Sequence, residues 1–423
     1  MTFFCGRLPR YILLPLLVFT CTAQAQHNIP LTLAEAEKLA LDHEPGRAAI
    51  LAQASALEDY AIAAGQLPDP MLRAGLVNFP ISSGGFSTEG MTQAQLGLRQ
   101  SFPSGKSRAF GTQRYESLAL EMGESANARS RDVLTRTRRA WLEAYYWQLA
   151  RDIVTESRPF FGDLVEVTRS QYAVGRKTQH DLLRAELELS RLDDRLIEID
   201  RRYAQAAAAL SEWTGSIANR PISTTLPQWQ KTPGLEVLRS ALVTHPSLLA
   251  ADAQIDARRA GVGFAEEQKK PGWALDLDYG YRDGTLPSGD PRSDFVSLSV
   301  SFELPFFKKN RQDRKLSAAL SERSAAEHKK DQLLRQMSSQ LDAEFTQWTD
   351  LTRRVGLYES RILGLSEDQA QAALLAYQSE AGDFADVMRG YIDDLNTRLD
   401  HVRLQVERGQ SYAVLANLGG LSR

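Results

Sequence analysis

Cysteine is almost missing from this chain: there are two in 423 residues, Cys5 and Cys21, and both lie near its start. The remainder has neither a disulfide nor a thiolate, which excludes a disulfide-stapled scaffold and a cysteine nucleophile. An excess of one charge is missing too. Fifty Lys and Arg stand against 53 Asp and Glu, a net charge of −3, which leaves no basic footprint for nucleic acid. The six histidines, at positions 27, 43, 180, 245, 328 and 401, show neither close pairs nor an H-E-x-x-H pattern, so no metal or cofactor site is expected from them. Beyond the start, no run reaches the ~18 apolar residues of a membrane-spanning helix. Such a chain enters a membrane only as a β-barrel.

What is present begins with a compartment signal. Arg7 and Arg10 precede an apolar run over residues 11–20, and Ala23-Gln24-Ala25 follows. That order reads as a secretory signal peptide over residues 1–25, cleaved before Gln26. Lipid attachment at Cys21 is the rival reading, although Phe19-Thr20 lacks the small residues wanted before a lipidated cysteine.

The chain also repeats itself. Pro45 and Pro246 are 201 apart, Pro103 and Pro305 are 202 apart, and Tyr172/Tyr377, Asp181/Asp386, Arg184/Arg389 and Gly215/Gly420 share a spacing of 205. Two repeats, 26–215 and 234–423, are expected around a proline-rich connector at 216–233. Each reads as helix, strand, loop, strand, very long helix, tight turn, long helix. The strands are expected at about 71–79, 93–102, 273–281 and 295–304. Three alternate cleanly, as in Val296, Leu298, Val300, Phe302 and Leu304 against Ser297, Ser299, Ser301 and Glu303. A strand of 9 to 11 residues with one apolar and one polar face suits a tilted crossing of hydrocarbon. Half-buried hairpins in a soluble domain are the alternative. The signal peptide, with Phe79, Phe102, Trp273 and Tyr281 at strand ends like interfacial girdles, favours the barrel. Four strands cannot close one alone, since known small barrels need about eight.

The helices are long. Between 106 and 172 the only proline is Pro159, and 309–377 has none. About 65 helical residues span on the order of 100 Å. Shorter helices at about 33–65 and 178–213 match one long helix if stacked end to end. Leu182, Leu189, Leu192, Leu196, Ile199 and Tyr203 form a coiled-coil stripe among charged residues.

One motif imitates an enzyme. Ser104-Gly105-Lys106-Ser107 follows a strand and opens a helix, but a phosphate-binding loop needs glycine where Gln100 stands. Ser104 or Ser107 as a helix cap, beside a positive residue at a membrane edge, is the better account. The turns Tyr172-Ala173-Val174-Gly175-Arg176-Lys177-Thr178 and Tyr377-Gln378-Ser379-Glu380-Ala381-Gly382-Asp383 sit at matching places, each with a glycine suited to a helix end.

Two strand pairs set into two helical hairpins, with tyrosine-to-glycine turns, resemble the TolC-type outer-membrane efflux family over nearly the whole mature chain. Gln66-Leu67-Pro68-Asp69-Pro70-Met71-Leu72, Asn78-Phe79-Pro80, Gly90-Met91-Thr92 and Gln100-Ser101-Phe102-Pro103 are similar to its heavy-metal branch, the CusC and CzcC relatives. The resemblance implies an α+β membrane protein of the cell outer membrane and not an enzyme. It implies a homotrimer with a twelve-stranded barrel over a periplasmic helical tunnel, which serves a periplasmic adaptor protein and an inner-membrane RND pump. The implied cargo is heavy-metal cations, with organic drugs or secreted proteins as the alternative. A soluble periplasmic coiled-coil scaffold or adaptor is the reading of another class. By the family's pattern Val174, Gly175 and Arg176 form one adaptor-facing tip, and Ala381 and Gly382 belong to the second, which departs by placing Glu380 where glycine is usual. Asp386 stands where the pattern puts an acidic gate residue, Arg389 where it puts a second acid, and Asp383 lies beside them.

Overall fold

Residues 29–42, 44–227, 229 and 231–421 are described by the structure, a computed structural model. The expected leader over 1–25, with Cys5 and Cys21, lies outside them. The helix expected over 33–65 is two helices, α1 (Leu33–Asp42) and α2 (Pro45–Ala64). Pro45 has no N–H and crowds a helical residue before it. Glu44 accordingly takes φ −81, ψ 103 and becomes the N-cap of α2. Its carboxylate accepts hydrogen bonds from Arg129 Nη2 at 2.8 Å and from the Arg47 N–H. The Arg129 bond is the main reason that the Glu44 carboxyl sits below its usual range.

Strand β1 (Met71–Val77) ends earlier than its sequence suggests, because Asn78 turns the chain at φ 56. Then follow β2 (Gln93–Phe102), α3 (Ser107–Ala173), with 67 residues, and α4 (Gln179–Thr214). Helix α3 runs through Pro159 unbroken. The lost hydrogen bond there is offset by packing, since Phe160 stacks on Tyr391 at 3.7 Å and Phe161, Leu164 and Val165 are buried next to it.

The second half repeats the order as α5 (Leu235–Leu242), α6 (Pro246–Glu267), β3 (Gly272–Tyr281), β4 (Phe295–Glu303), α7 (Gln312–Leu357), α8 (Leu363–Gln378) and α9 (Phe384–Gly419). A π turn (Tyr358–Ile362) links α7 to α8 without a break. Pieces of 46, 5 and 16 residues thus make a rod as long as α3. The extra residues of the second half fall in the loop after β4, where Phe306 and Phe307 stand exposed.

Each long rod is flanked by two shorter helices placed in succession. Thr112 Oγ1 of α3 donates to the Ala61 carbonyl of α2 at 3.1 Å. Further along α3, Arg158 and Arg169 pair with Asp193 and Glu186 of α4 at 2.6 and 3.0 Å. On the other rod, Lys330 pairs with Asp252 of α6, and Leu351 and Val355 bury against Leu404 of α9. The halves meet through α3, where Arg398 and Arg403 of α9 reach Glu156 and Glu143. The main core lies at mid-height around Trp141, Leu142, Phe161, Leu210 and Val406. The connector is tied to it. Leu31 and Ile222 form a parallel bridge, Trp141 Nε1 donates to the Leu31 carbonyl at 3.0 Å, and the Gln148 amide both accepts from the Ile222 N–H and donates to its carbonyl.

The strands form one antiparallel sheet in the order β1-β2-β3-β4, joined across the halves by pairs such as Leu98↔Leu277. Strands β1 and β4 are its open edges.

Candidate functional site

The sheet is turned inside out. An antiparallel sheet in a soluble domain lays its apolar face on a core. Here Leu72, Leu76, Leu96, Leu98, Leu277 and Val300 point to the bare face, and Leu298 is 70% exposed. The acids lie on the opposite face, where Asp276 and Asp278, hemmed in by the side chains of neighbouring strands, are 3% and 8% exposed. The register explains how the acids survive there. Arg73 of β1 pairs with Gly97 of β2, which pairs with Asp278, while Arg99 pairs with Asp276. Arg73 Nη2 reaches Asp276 Oδ1 at 2.8 Å and Asp278 Oδ1 at 3.3 Å, and Ser301 Oγ of β4 donates to Asp276 Oδ2 at 3.0 Å. A Cβ on Gly97 would stand 1.9 Å from Asp278 Oδ1, so glycine makes the room for this cross-strand pairing. The sequence holds each of these residues, but only the register brings together charges 203 and 205 positions apart.

Aromatic rings mark both ends of the bare face. Phe102 stacks on Trp273 at 4.0 Å at the helix end, and Tyr281 stacks on Phe86 at 6.2 Å at the loop end. Strands of 9 to 10 residues are about 30 Å long and, tilted by ~40°, cover roughly the 25 Å apolar band of an outer-membrane barrel. The two loops are fastened together beyond it. Arg292 Nη1 donates to the Ser87, Glu89 and Asp283 carbonyls, and Arg282 to those of Gly90 and Ser293.

The phosphate-loop imitation is occupied by the chain itself. Gly105 stands at φ 50, where a Cβ would lie 1.8 Å from Glu267 Oε2. The Lys106 N–H donates to that oxygen at 2.8 Å, and Lys270 Nζ donates to Oε1 at 2.7 Å. Neither serine caps α3, contrary to the sequence expectation, because Ser107 Oγ instead donates to the Ser104 carbonyl at 2.6 Å. Lys270 first, then the Lys106 N–H, hold the Glu267 carboxyl below its usual range. The positive end of the helix is thus answered by a carboxylate from the other half.

At the far end, the turns at 172–178 and 377–383 share one backbone. The Gly175 N–H donates to the Tyr172 carbonyl and the Arg176 N–H to that of Gln171, both at 2.9 Å. The Glu380 N–H donates to the Tyr377 carbonyl at 3.1 Å and the Ala381 N–H to that of Ala376 at 2.9 Å. Gly175 has φ 75 and Glu380 has φ 59. Glu380 therefore takes the glycine's place, and Gly382 has another duty, since a Cβ there would stand 2.9 Å from Ala376 Cβ. The turns lie side by side, with Tyr377 Oη bonded to Gln171 at 3.1 Å and Lys177 Nζ 4.6 Å above the Tyr377 ring.

The helices after the turns differ. Thr178 and Asp181 close a capping box on α4. Burial alone would raise the Asp181 carboxyl, but bonds from the Thr178 hydroxyl and N–H outweigh it and hold it low. On α9 the N-cap Asp383 makes no side-chain cap bond. Asp386 instead accepts from Arg389 Nη1 at 3.4 Å, and both side chains are well exposed. Asp386, Arg389, Asp393 and Asp400 recur at helical spacing on the uncovered face of α9, while Phe384, Val387, Met388, Leu395 and Leu399 are buried on the other. Val174, Arg176 and Ala381 are exposed at the turns. Among the described residues no helix is long and apolar enough to cross a membrane, and no three or more His, Cys, Asp or Glu residues come together in a group that could hold a metal ion.

Residues 237–421 match a family model described as outer membrane efflux protein. No curated protein sequence matches the chain. Among solved structures it is similar to the outer membrane protein VceC of Vibrio cholerae, at 19% identity and TM-score 0.76, over 92% of this chain and 96% of that one. It is similar to CusC at 16% identity and TM-score 0.76, over 97% of this chain and 99% of that one. It is also similar to the open state of the MtrE outer membrane channel of Neisseria gonorrhoeae, at 16% identity and TM-score 0.72, over 92% of this chain and 88% of that one.

Proposed function

We propose, starting from a chain with a TolC-type fold whose second half matches the outer membrane efflux family, that it is the exit duct of a tripartite efflux system. The inverted sheet carries this reading. Its bare apolar face suits lipid, its buried charges suit an aqueous lumen, and its open edges β1 and β4 call for further copies. Three copies bring twelve strands, enough to close a barrel where four are not. The duct is passive. Transport energy comes from an inner-membrane RND pump, reached through a periplasmic adaptor that docks on the turns at 172–178 and 377–383. The signal peptide at 1–25, the two repeats and the connector at 216–233 fit this build.

Heavy-metal cations are the proposed cargo. The support is the resemblance of residues 66–72, 78–80, 90–92 and 100–103 to the heavy-metal branch, together with the exposed carboxylates of α9. Rings of carboxylates at a narrow mouth attract cations and disfavour anions. The duct itself need not hold the metal tightly. Cell fractionation tests the duct, and recovery as a trimer in outer-membrane fractions is expected. Recovery in the soluble periplasm after clean lysis would leave a coiled-coil scaffold instead. Deletion of the gene is expected to sensitise cells to a metal salt before an organic drug.

A further inference from the structure

We infer that Glu380 is the residue by which a docking partner tells the two kinds of tip apart, through a basic side chain of that partner. The inference rests on the reading of the chain as a duct docked at its tips. Two observations carry it. The first is conformational. Glu380 stands at φ 59 in a turn that the first repeat builds with Gly175, and left-handed backbone is disfavoured for a residue with a Cβ. A bulky residue kept in such a conformation points to a use for its side chain. Among the described residues the Glu380 carboxylate makes no hydrogen bond or ion pair, so the chain itself supplies no use.

The second is electrostatic. One turn carries Arg176 and Lys177, the other Glu380 and Asp383. Lys177 is engaged above the Tyr377 ring, while Arg176, like Glu380, is exposed and free of partners among the described residues. A trimer would present six tips of one backbone shape, basic and acidic in alternation. A partner that fits one backbone fits the next in the wrong register. Only charge separates them, and a like charge in the wrong register repels.

The test replaces the chromosomal gene in the source bacterium with variants and measures growth inhibition. The compounds are copper, zinc, cadmium and cobalt salts and ethidium, of which the one that deletion sensitises to is used. Immunoblots of outer-membrane fractions confirm equal amounts. Glu380→Gly relieves the backbone and Glu380→Gln keeps the size, and both are expected to lose resistance nearly to the level of the deletion strain. Glu380→Asp keeps the charge on a residue that tolerates left-handed backbone, and is expected to keep resistance. Full resistance with Gly or Gln, or loss with Asp, overturns the inference. Gly175→Trp serves as the control for tip docking. If it transports normally the docking reading falls, and if deletion sensitises to none of the compounds the efflux reading falls, whatever Glu380 does.

Discussion

At the start of α9, Asp386 and Arg389 occupy the positions that the family's pattern gives to a gate. Their contact is one helical turn long, 3.4 Å, and open to water. Exposed pairs of this kind are worth only ~0 to 1 kcal/mol. A contact of that strength is easily released, as a gate proposed at this place would require. In a planar bilayer, Asp386→Asn is expected to lower cation-over-anion selectivity, and Arg389→Ala to raise the open probability. If both variants conduct and select like the wild type, Asp386 only solvates the start of α9. The sequence placed both residues by their distance from Tyr377. It could not show that Asp181, the counterpart of Asp386 in the first half, is already committed to Thr178, nor that the Glu380 backbone had taken the glycine's conformation.

At the scale of elements, what was legible followed from period and proline. Alternation placed three strands within a residue or so, and the shortage of proline over 106–172 and 309–377 gave both rods. What was missed depends on space. Pro45 splits the first helix although the apolar pattern runs on, and the π turn at Tyr358–Ile362 carries no proline to announce it. Glu267 closes the loop at Gly105 from 161 residues away, and no local pattern encodes that. The sheet itself yields a sharp expectation. Leu277 lies at the middle of the bare face, opposite Leu98. Leu277→Arg should cost about 2–4 kcal/mol of membrane insertion, as cationic side chains do at the lipid-facing midplane of barrels. Ser299→Lys, on the opposite, polar face beside Asp276, should insert normally. The readout is the amount of each variant in purified outer membranes, and equal amounts of the arginine variant would mean that this face does not meet lipid.

For the whole molecule, the four-stranded sheet matters most for what it leaves unfinished. Both edges offer unpaired backbone groups, and toward the tips the helices carry exposed apolar side chains such as Leu187 and Ile197 on α4 and Leu365 and Leu375 on α8. An unfinished sheet is a liability in solution and an instruction in assembly. It also has a genetic consequence. In a trimer closed through these edges no chain works by itself, so a cell making equal amounts of wild-type and Gly175→Trp chains would build mixed assemblies, with only about one in eight wholly wild-type by random association. Where one blocked tip is enough to prevent docking, the variant is therefore dominant, and resistance in such a merodiploid should fall far below the half that independent chains would give.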